Sequence, residues 1–172
     1  MNQYVFNYKN IGSAKGISDA LNRLYQTPYP VIICVGSDLI IGDSLGPIVG
    51  NELIKRLNNV YVYGTLDNPI TAKETNVVYN NVKKLHPKSQ ILVVDAAVGS
   101  KNDVGTIKVT DKGIKPGLGV NKDLKTLGDV SIIGIVAEKQ NELNSLFYQT
   151  RFSLVYRLSQ EIINGIIDYF NC

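Results

Sequence analysis

Residues 31–47, which read VIICVGSDLIIGDSLGP, decide the fold of this chain. The first five are all apolar and follow Pro30, so they predict a strand that is buried on both faces, as in a parallel sheet. The glycine-containing stretch that follows predicts a loop. From about Ser44 to Asn58, apolar residues recur at helical spacing and predict a helix, and Pro47 fits its first turn.

The same alternation of strand and helix continues along the chain. Further strands are predicted at residues 60–65, 91–94, 106–109 and 130–136, and further helices at residues 13–25, 70–85, 141–148 and 151–170. This alternation predicts an α/β fold with a mostly parallel sheet covered by helices. The length of 172 residues and the apolar content of 44% fit a single domain over residues 1–172, with residues 1–29 as an N-terminal helical extension.

Composition argues against several classes of partner. The net charge is +3, and no basic run is longer than Lys83-Lys84, which argues against nucleic acid. No apolar run approaches the roughly 18 residues of a membrane span, and the first ten residues do not resemble a signal peptide. Cys34 and Cys172 suggest no disulfide framework. We therefore expect a cytoplasmic protein without a membrane partner.

Two carboxylates follow predicted strands. Asp43 ends the loop after the first apolar strand, and Asp95 directly follows the apolar residues 91–94. Ligands bind beyond the carboxyl ends of parallel strands, so the two acids face one crevice if their strands are neighbours. In such a pair one carboxyl keeps its proton and the other is ionised. The pair can then act as acid and base on a water that attacks an amide, or bind a divalent cation.

The two acids have different alternatives. Asp43 precedes a predicted helix, and spacing alone favours a role as the helix cap. A carboxylate at the end of an apolar strand, such as Asp95, is costly unless it is solvated, paired or used. Asp95 is therefore the stronger indication of a site.

The chain contains few residues that could support a nucleophilic, zinc-dependent or nucleotide-binding site. The one histidine, His86, precedes a strand and so belongs to the opposite end of the sheet, which argues against a Cys–His or Ser–His–Asp nucleophile. Cys34 fits the core. The chain has no cluster of His and Cys for zinc, and the loop at 36–42 lacks the nucleotide-binding patterns. We expect no cofactor and no metal. The glycine-containing segment 115–124 has the length of a lid or binding loop.

Several motifs resemble, in the same order, the YyaC-like sporulation proteins from residue 31 to the C-terminus. They are GDSLGP at 42–47, YGTLDNP at 63–69, VDA at 94–96, PGLGVNK at 116–122, GD at 128–129 and QTR at 149–151. That family is similar to the germination protease of spore formers and, more distantly, to the hydrogenase maturation endopeptidases. The resemblance implies a three-layer α/β/α sandwich of the phosphorylase/hydrolase-like kind.

The resemblance also implies site residues. In the germination protease, the aspartate of an Asp-x-Leu-Gly-Pro motif and one at the end of a later strand form the catalytic pair of an atypical aspartic peptidase. The matching positions here are Asp43 and Asp95. The candidates for substrate contact or support are Asp38, Ser44, Thr65, Asp67, Asn121, Lys122 and Asp129. The hydrogenase relatives add a histidine that contacts nickel, and no histidine occupies a suitable stretch here.

The function implied is a peptidase of sporulation or germination that acts in the cytoplasm or forespore. Its expected partner is a protein or peptide substrate, with small acid-soluble spore proteins as candidates. Because relatives with this fold assemble, a homo-oligomer is also among the expectations. Two alternatives remain open: a catalytically inactive peptide- or partner-binding protein of the same fold, and a metal-dependent hydrolase.

Overall fold

The secondary structure alternates between strands and helices along the chain. A computed structural model describes residues 2–115, 126–139 and 150–171. The strands of this part are β1 Gln3–Asn7, β2 Val31–Cys34, β3 Tyr61–Tyr63, β4 Ile91–Gly99, β5 Thr106–Thr110 and β6 Val130–Glu138. Its helices are α1 Ser13–Leu24, α2 Leu45–Arg56, α3 Thr75–Leu85 and α4 Phe152–Phe170, with 3₁₀ turns at Ile41–Asp43 and Lys101–Asp103.

The strands form one six-stranded sheet in the order β1-β5-β6-β4-β2-β3. β6, β4, β2 and β3 run parallel to one another, whereas β5 is antiparallel to both of its neighbours, β6 and β1. β2 and β4 pair directly, with Val31 opposite Ile91 and Cys34 opposite Val94. The predicted mostly parallel sheet is confirmed, and so is the predicted adjacency of the two apolar strands.

Helices cover both faces of the sheet. Successive side chains of a strand point to opposite faces, so each central strand contributes to two cores. Ile32 and Leu92 belong to the core that the sheet shares with α1, α2 and α4, whereas Ile33 and Val93 belong to the core on the α3 face. This accounts for the uninterrupted apolar runs and confirms the three-layer arrangement. Cys34 is fully buried in the first core, and burial raises the pKa of its thiol.

The N-terminal segment contains more than the expected helix. Residues 1–29 were expected to form a helical extension, but they hold the edge strand β1, antiparallel to β5, as well as α1. The strand was not predicted because Gln3–Asn7 is only partly buried and lacks clean alternation. Helix α1 is integral to the core: Ile17 is fully buried, and a Cβ on Gly165 of α4 would lie 2.7 Å from the Cβ of Ile17.

Two element boundaries differ clearly from the predictions. β4 does not end before Asp95 but continues to Gly99, because β6 runs beside it and supplies ladder partners from Asp95 opposite Ile133 onward. The helix predicted from residue 70 begins at Thr75, since Ile70 forms a parallel bridge to Val35. The helix predicted at 141–148 lies outside the described residues.

Candidate active site

The loop after β2 folds back on itself. Gly36 has a φ of 140°, and a Cβ at this position would lie 2.0 Å from the carbonyl oxygen of Asp43. The Ser37 N–H donates to that same oxygen at 3.1 Å, and the Ser44 hydroxyl donates to the Ile41 carbonyl at 2.8 Å. Only glycine fits where the two backbone segments approach so closely. These contacts hold Asp43 over the carboxyl end of β2.

Helix α2 starts against the end of the same strand, and Asp43 does not cap it. Its N-cap residue is Ser44, with no side-chain capping hydrogen bond. Among the described residues, the backbone group that lowers the pKa of the Asp43 carboxyl is the Ser37 N–H, not an N–H of the first turn of α2. A Cβ on Gly46 would lie 2.0 Å from the Val35 carbonyl oxygen, so the helix sits directly on the strand. The capping interpretation of Asp43 is wrong, and its carboxylate is left for another use.

Asp95 lies inside β4, two residues after Val93. Its side chain therefore points to the same face of the sheet as Val93, the face covered by α3. It is partly buried, and the N–H of Ala96 donates to its Oδ1 at 2.8 Å. The 3₁₀ turn Ile41–Asp43 packs against β4. The fold thus brings the two acids to neighbouring strands at the carboxyl edge of the sheet.

The environment of the pair raises the pKa of both carboxyls. Burial raises the pKa of Asp43 to about 6, although the Ser37 N–H opposes this shift. The pKa of Asp95 lies well above its ordinary value, first because of burial and second because of the negative charge on Asp43; the Ala96 N–H works against both. Both shifts favour the protonated carboxyls, and the charge on Asp43 further favours a proton on Asp95. A pair that shares one proton is the state needed for acid–base work.

Four other candidates lie at the same edge of the sheet. Asp38 and Asp67 are exposed on the loops after β2 and β3. Thr65 is buried, and its Oγ1 accepts the N–H of Asn68 at 3.2 Å. Ser44 is buried and bonded to its own loop. Their described hydrogen bonds stabilise the loops and do not reach the carboxylate pair. Asn121 and Lys122 lie outside the described residues.

Asp129 belongs to the opposite end of the sheet. Its carboxylate accepts the N–H of Ile91 at 2.8 Å and a hydrogen bond from Lys83 Nζ at 3.2 Å. Ile91 is the first residue of β4, about 13 Å along the strand from Asp95 at roughly 3.3 Å per residue. Asp129 therefore lies apart from the carboxylate pair, contrary to the shared position that was expected. The sequence contains a signal of this, because Asp129 directly precedes an apolar strand, whereas Asp43 and Asp95 come after the apolar residues 31–35 and 91–94.

Exposed apolar side chains lie on the loops that carry several of the candidate residues, and the sequence analysis did not single them out. Leu39 is 86% exposed, Ile41 42% and Leu66 37%. All three lie on the loops that follow β2 and β3. The available signal was the presence of large apolar residues inside otherwise polar loops. Singly exposed apolar residues are ordinary, but three on adjoining loops at one edge form a surface suited to apolar contact.

No group of three or more His, Cys, Asp or Glu in ranges 2–115, 126–139 and 150–171 has the geometry to hold a metal ion. Over the same ranges, no helix is long and apolar enough to cross a membrane.

The protein is thus an α/β sandwich with two acids at the carboxyl edge of its sheet. The fold is similar to that of the [NiFe] hydrogenase maturation protease HycI from Thermococcus kodakarensis KOD1, with a TM-score of 0.58 and 16% identity. That similarity covers 91% of this chain and 99% of HycI.

Comparison of sequences finds relatives that are more similar to this chain than HycI is. Residues 5–165 match the family described as protein of unknown function DUF1256, and the chain belongs to this family. It is also 36% identical over 169 residues to a Bacillus subtilis strain 168 protein with the printed name "Uncharacterized protein YyaC". The match covers 95% of this chain and 82% of YyaC. The resemblance to YyaC-like proteins is confirmed.

Proposed function

We propose that this protein is a peptidase that hydrolyses peptide bonds in spore proteins, with Asp43 and Asp95 as the catalytic pair. The observation that supports this most directly is the meeting of two partly buried carboxylates at the carboxyl edge of the sheet, one of them under the influence of the other's charge. The protease-like fold and the relationship to YyaC favour the same chemistry.

The chemistry needs one carboxylate and one carboxylic acid. The charge on Asp43 raises the pKa of Asp95, and this coupling favours a pair that holds one proton. With a pKa of about 6, about nine in ten Asp43 carboxyls are ionised at pH 7. Asp43 takes a proton from a water molecule as the water oxygen adds to the peptide carbonyl, and Asp95 gives its proton to the carbonyl oxygen.

The second half of the reaction returns both protons. The tetrahedral intermediate collapses as Asp43 passes the proton it received to the leaving amine nitrogen. Asp95 recovers a proton from a hydroxyl of the intermediate. The products are a carboxylic acid and an amine, and the pair again carries one proton.

The surface beside the pair suggests what the substrate presents. Leu39 and Ile41 lie on the Asp43 loop with much of their surface exposed, and Leu66 lies on the neighbouring loop. Burying each against a substrate contributes favourably in proportion to the apolar area covered. The substrate therefore has an apolar side chain near the cleaved bond.

The test is a cleavage assay with purified small acid-soluble spore proteins. The wild type should cleave them, and Asp43→Asn and Asp95→Asn should each lower the rate at least about 100-fold, in the range of lost acid–base catalysis. Asp168→Asn, which removes an exposed carboxyl from α4, is the control and should stay within about twofold of the wild type. EDTA should leave the rate unchanged.

Other outcomes have definite meanings. Equal cleavage by wild type and Asp95→Asn contradicts the mechanism. Loss of cleavage with EDTA identifies a metal-dependent hydrolase. Binding of the spore protein without turnover, retained in Asp43→Asn, identifies the alternative of a binding protein of the same fold.

A further inference from the structure

A positively charged cleft lies on another part of the molecule than the carboxylate pair. It has a volume of about 530 Å³ and is formed by the turn after β1, the end of β6 and the start of α4. Clefts of roughly 300–1,000 Å³ are the usual size for small-molecule sites. None of the candidate catalytic or supporting residues named above lines this cleft.

The charges that line the cleft are all of one sign. Lys9, Arg151 and Arg157 line it, and no Asp or Glu does. Over the described ranges, none of these three cations takes part in an ion pair. One described carboxylate, that of Glu161, lines an adjoining cleft together with Lys9 and Arg157, and it accepts the N–H of Ala14 at 3.1 Å. Three cations against this one carboxylate leave the described surroundings of the cleft with a net positive charge, which favours an anion.

The arginines are placed to act together. Arg151, Leu154 and Arg157 follow each other at intervals of three residues, which puts them on one side of α4. Guanidinium groups bind phosphate through two parallel hydrogen bonds, which makes arginine well suited to this anion. The positive end of the long helix α4 adds to the potential of the cleft, but the assignment depends on the three side-chain cations and the cleft itself.

The remaining lining of the cleft is partly polar, at Asn7, Thr150 and Ser153, and partly apolar. Val104, Val136 and Leu154 contribute aliphatic surface. Tyr8 lies over Gly105, where a Cβ would come within 2.9 Å of the ring, and its N–H donates to the Gly105 carbonyl at 3.1 Å. A ligand with a carbon body as well as a negative charge would therefore contact both parts of the cleft.

We infer that this cleft binds a small organic phosphate, with the phosphate held by Arg151, Arg157 and Lys9 and the carbon body placed against Tyr8 and the apolar lining. The inference is independent of the peptidase proposal. It also assigns a role to Arg151 of the motif QTR at 149–151, an arginine that the candidate active site does not use.

Calorimetric titration with three probes tests the inference: phenyl phosphate, inorganic phosphate and phenol. Phenyl phosphate should bind with one-to-one saturation and more tightly than inorganic phosphate, because only it contacts the apolar lining. Phenol should show no saturable binding. Higher salt should weaken phenyl phosphate binding, as for any interaction between exposed charges.

Variants locate the binding. Arg151→Gln and Arg157→Gln should each weaken phenyl phosphate binding at least about fivefold through loss of a charge-assisted contact, and Lys9→Gln should weaken it less. Arg56→Gln, at the exposed end of α2, is the matched control and should bind like the wild type. No saturation at millimolar phenyl phosphate, or equal weakening by Arg56→Gln and Arg157→Gln, would overturn the inference.

Discussion

The raised pKa of Asp43 makes a measurable prediction about stability. A carboxyl whose pKa is higher in the folded than in the unfolded state stabilises the fold at low pH, and this contribution is lost as the pH rises through the folded-state value. For Asp43 the pKa rises from 3.8 to about 6. At about 1.4 kcal/mol per pKa unit, this difference corresponds to about 3 kcal/mol.

Comparison with Asp43→Asn isolates this contribution. Urea unfolding of both proteins at a series of pH values from 3 to 8 gives the free energy of unfolding of each. The wild type should lose about 3 kcal/mol relative to the variant across this series, about two-thirds of it between pH 4 and 6. Carboxyls other than Asp95 titrate alike in both proteins and cancel from the difference. Asp95 differs between the two proteins, because the charge on Asp43 that raises its pKa is absent from Asp43→Asn.

The control is Asp38→Asn, which removes an exposed carboxyl from the same loop. Its difference from the wild type should change by less than about 0.5 kcal/mol over the series, as expected of a surface substitution. A difference between wild type and Asp43→Asn that stays flat from pH 3 to 8 would refute the assignment of a desolvated carboxyl at this position. If the wild type instead gained stability relative to Asp43→Asn as the pH rises, Asp43 would be stabilised as the anion in the folded protein.

Two further substitutions test the surroundings of the pair and the correction concerning Asp129. Gly36→Ala should lower the free energy of unfolding by clearly more than Gly12→Ala, because both have positive φ but only Gly36 has a backbone atom 2.0 Å from the new Cβ; equal losses of about 1 kcal/mol by denaturant unfolding would contradict this close approach. Asp129→Ala should lower stability by about 1–3 kcal/mol by leaving the Ile91 N–H without its partner, whereas Asp129→Asn, which keeps an acceptor, should lower it less and leave cleavage by the folded protein unchanged.

Much of the architecture can be predicted from local patterns. The apolar runs at residues 31–35 and 91–94 predict buried parallel strands because strands covered on both faces need apolar side chains at every position. Helical spacing predicts the long C-terminal helix, observed as Phe152–Phe170. Edge strand β1 could not be predicted in this way, because it is defined by its hydrogen bonds to β5 rather than by its own composition.

The sequence by itself also determined that carboxylates would dominate the candidate site, because the chain has one histidine and two cysteines and therefore few other groups for acid–base chemistry. Only the tertiary structure decided which carboxylates meet. It placed Asp43 beside β4 and Asp129 at the other end of the sheet. The reason is physical: strand order and the turn that begins at Gly36 determine distances across the sheet, and the burial that raises the two pKa values depends on residues far apart in the chain.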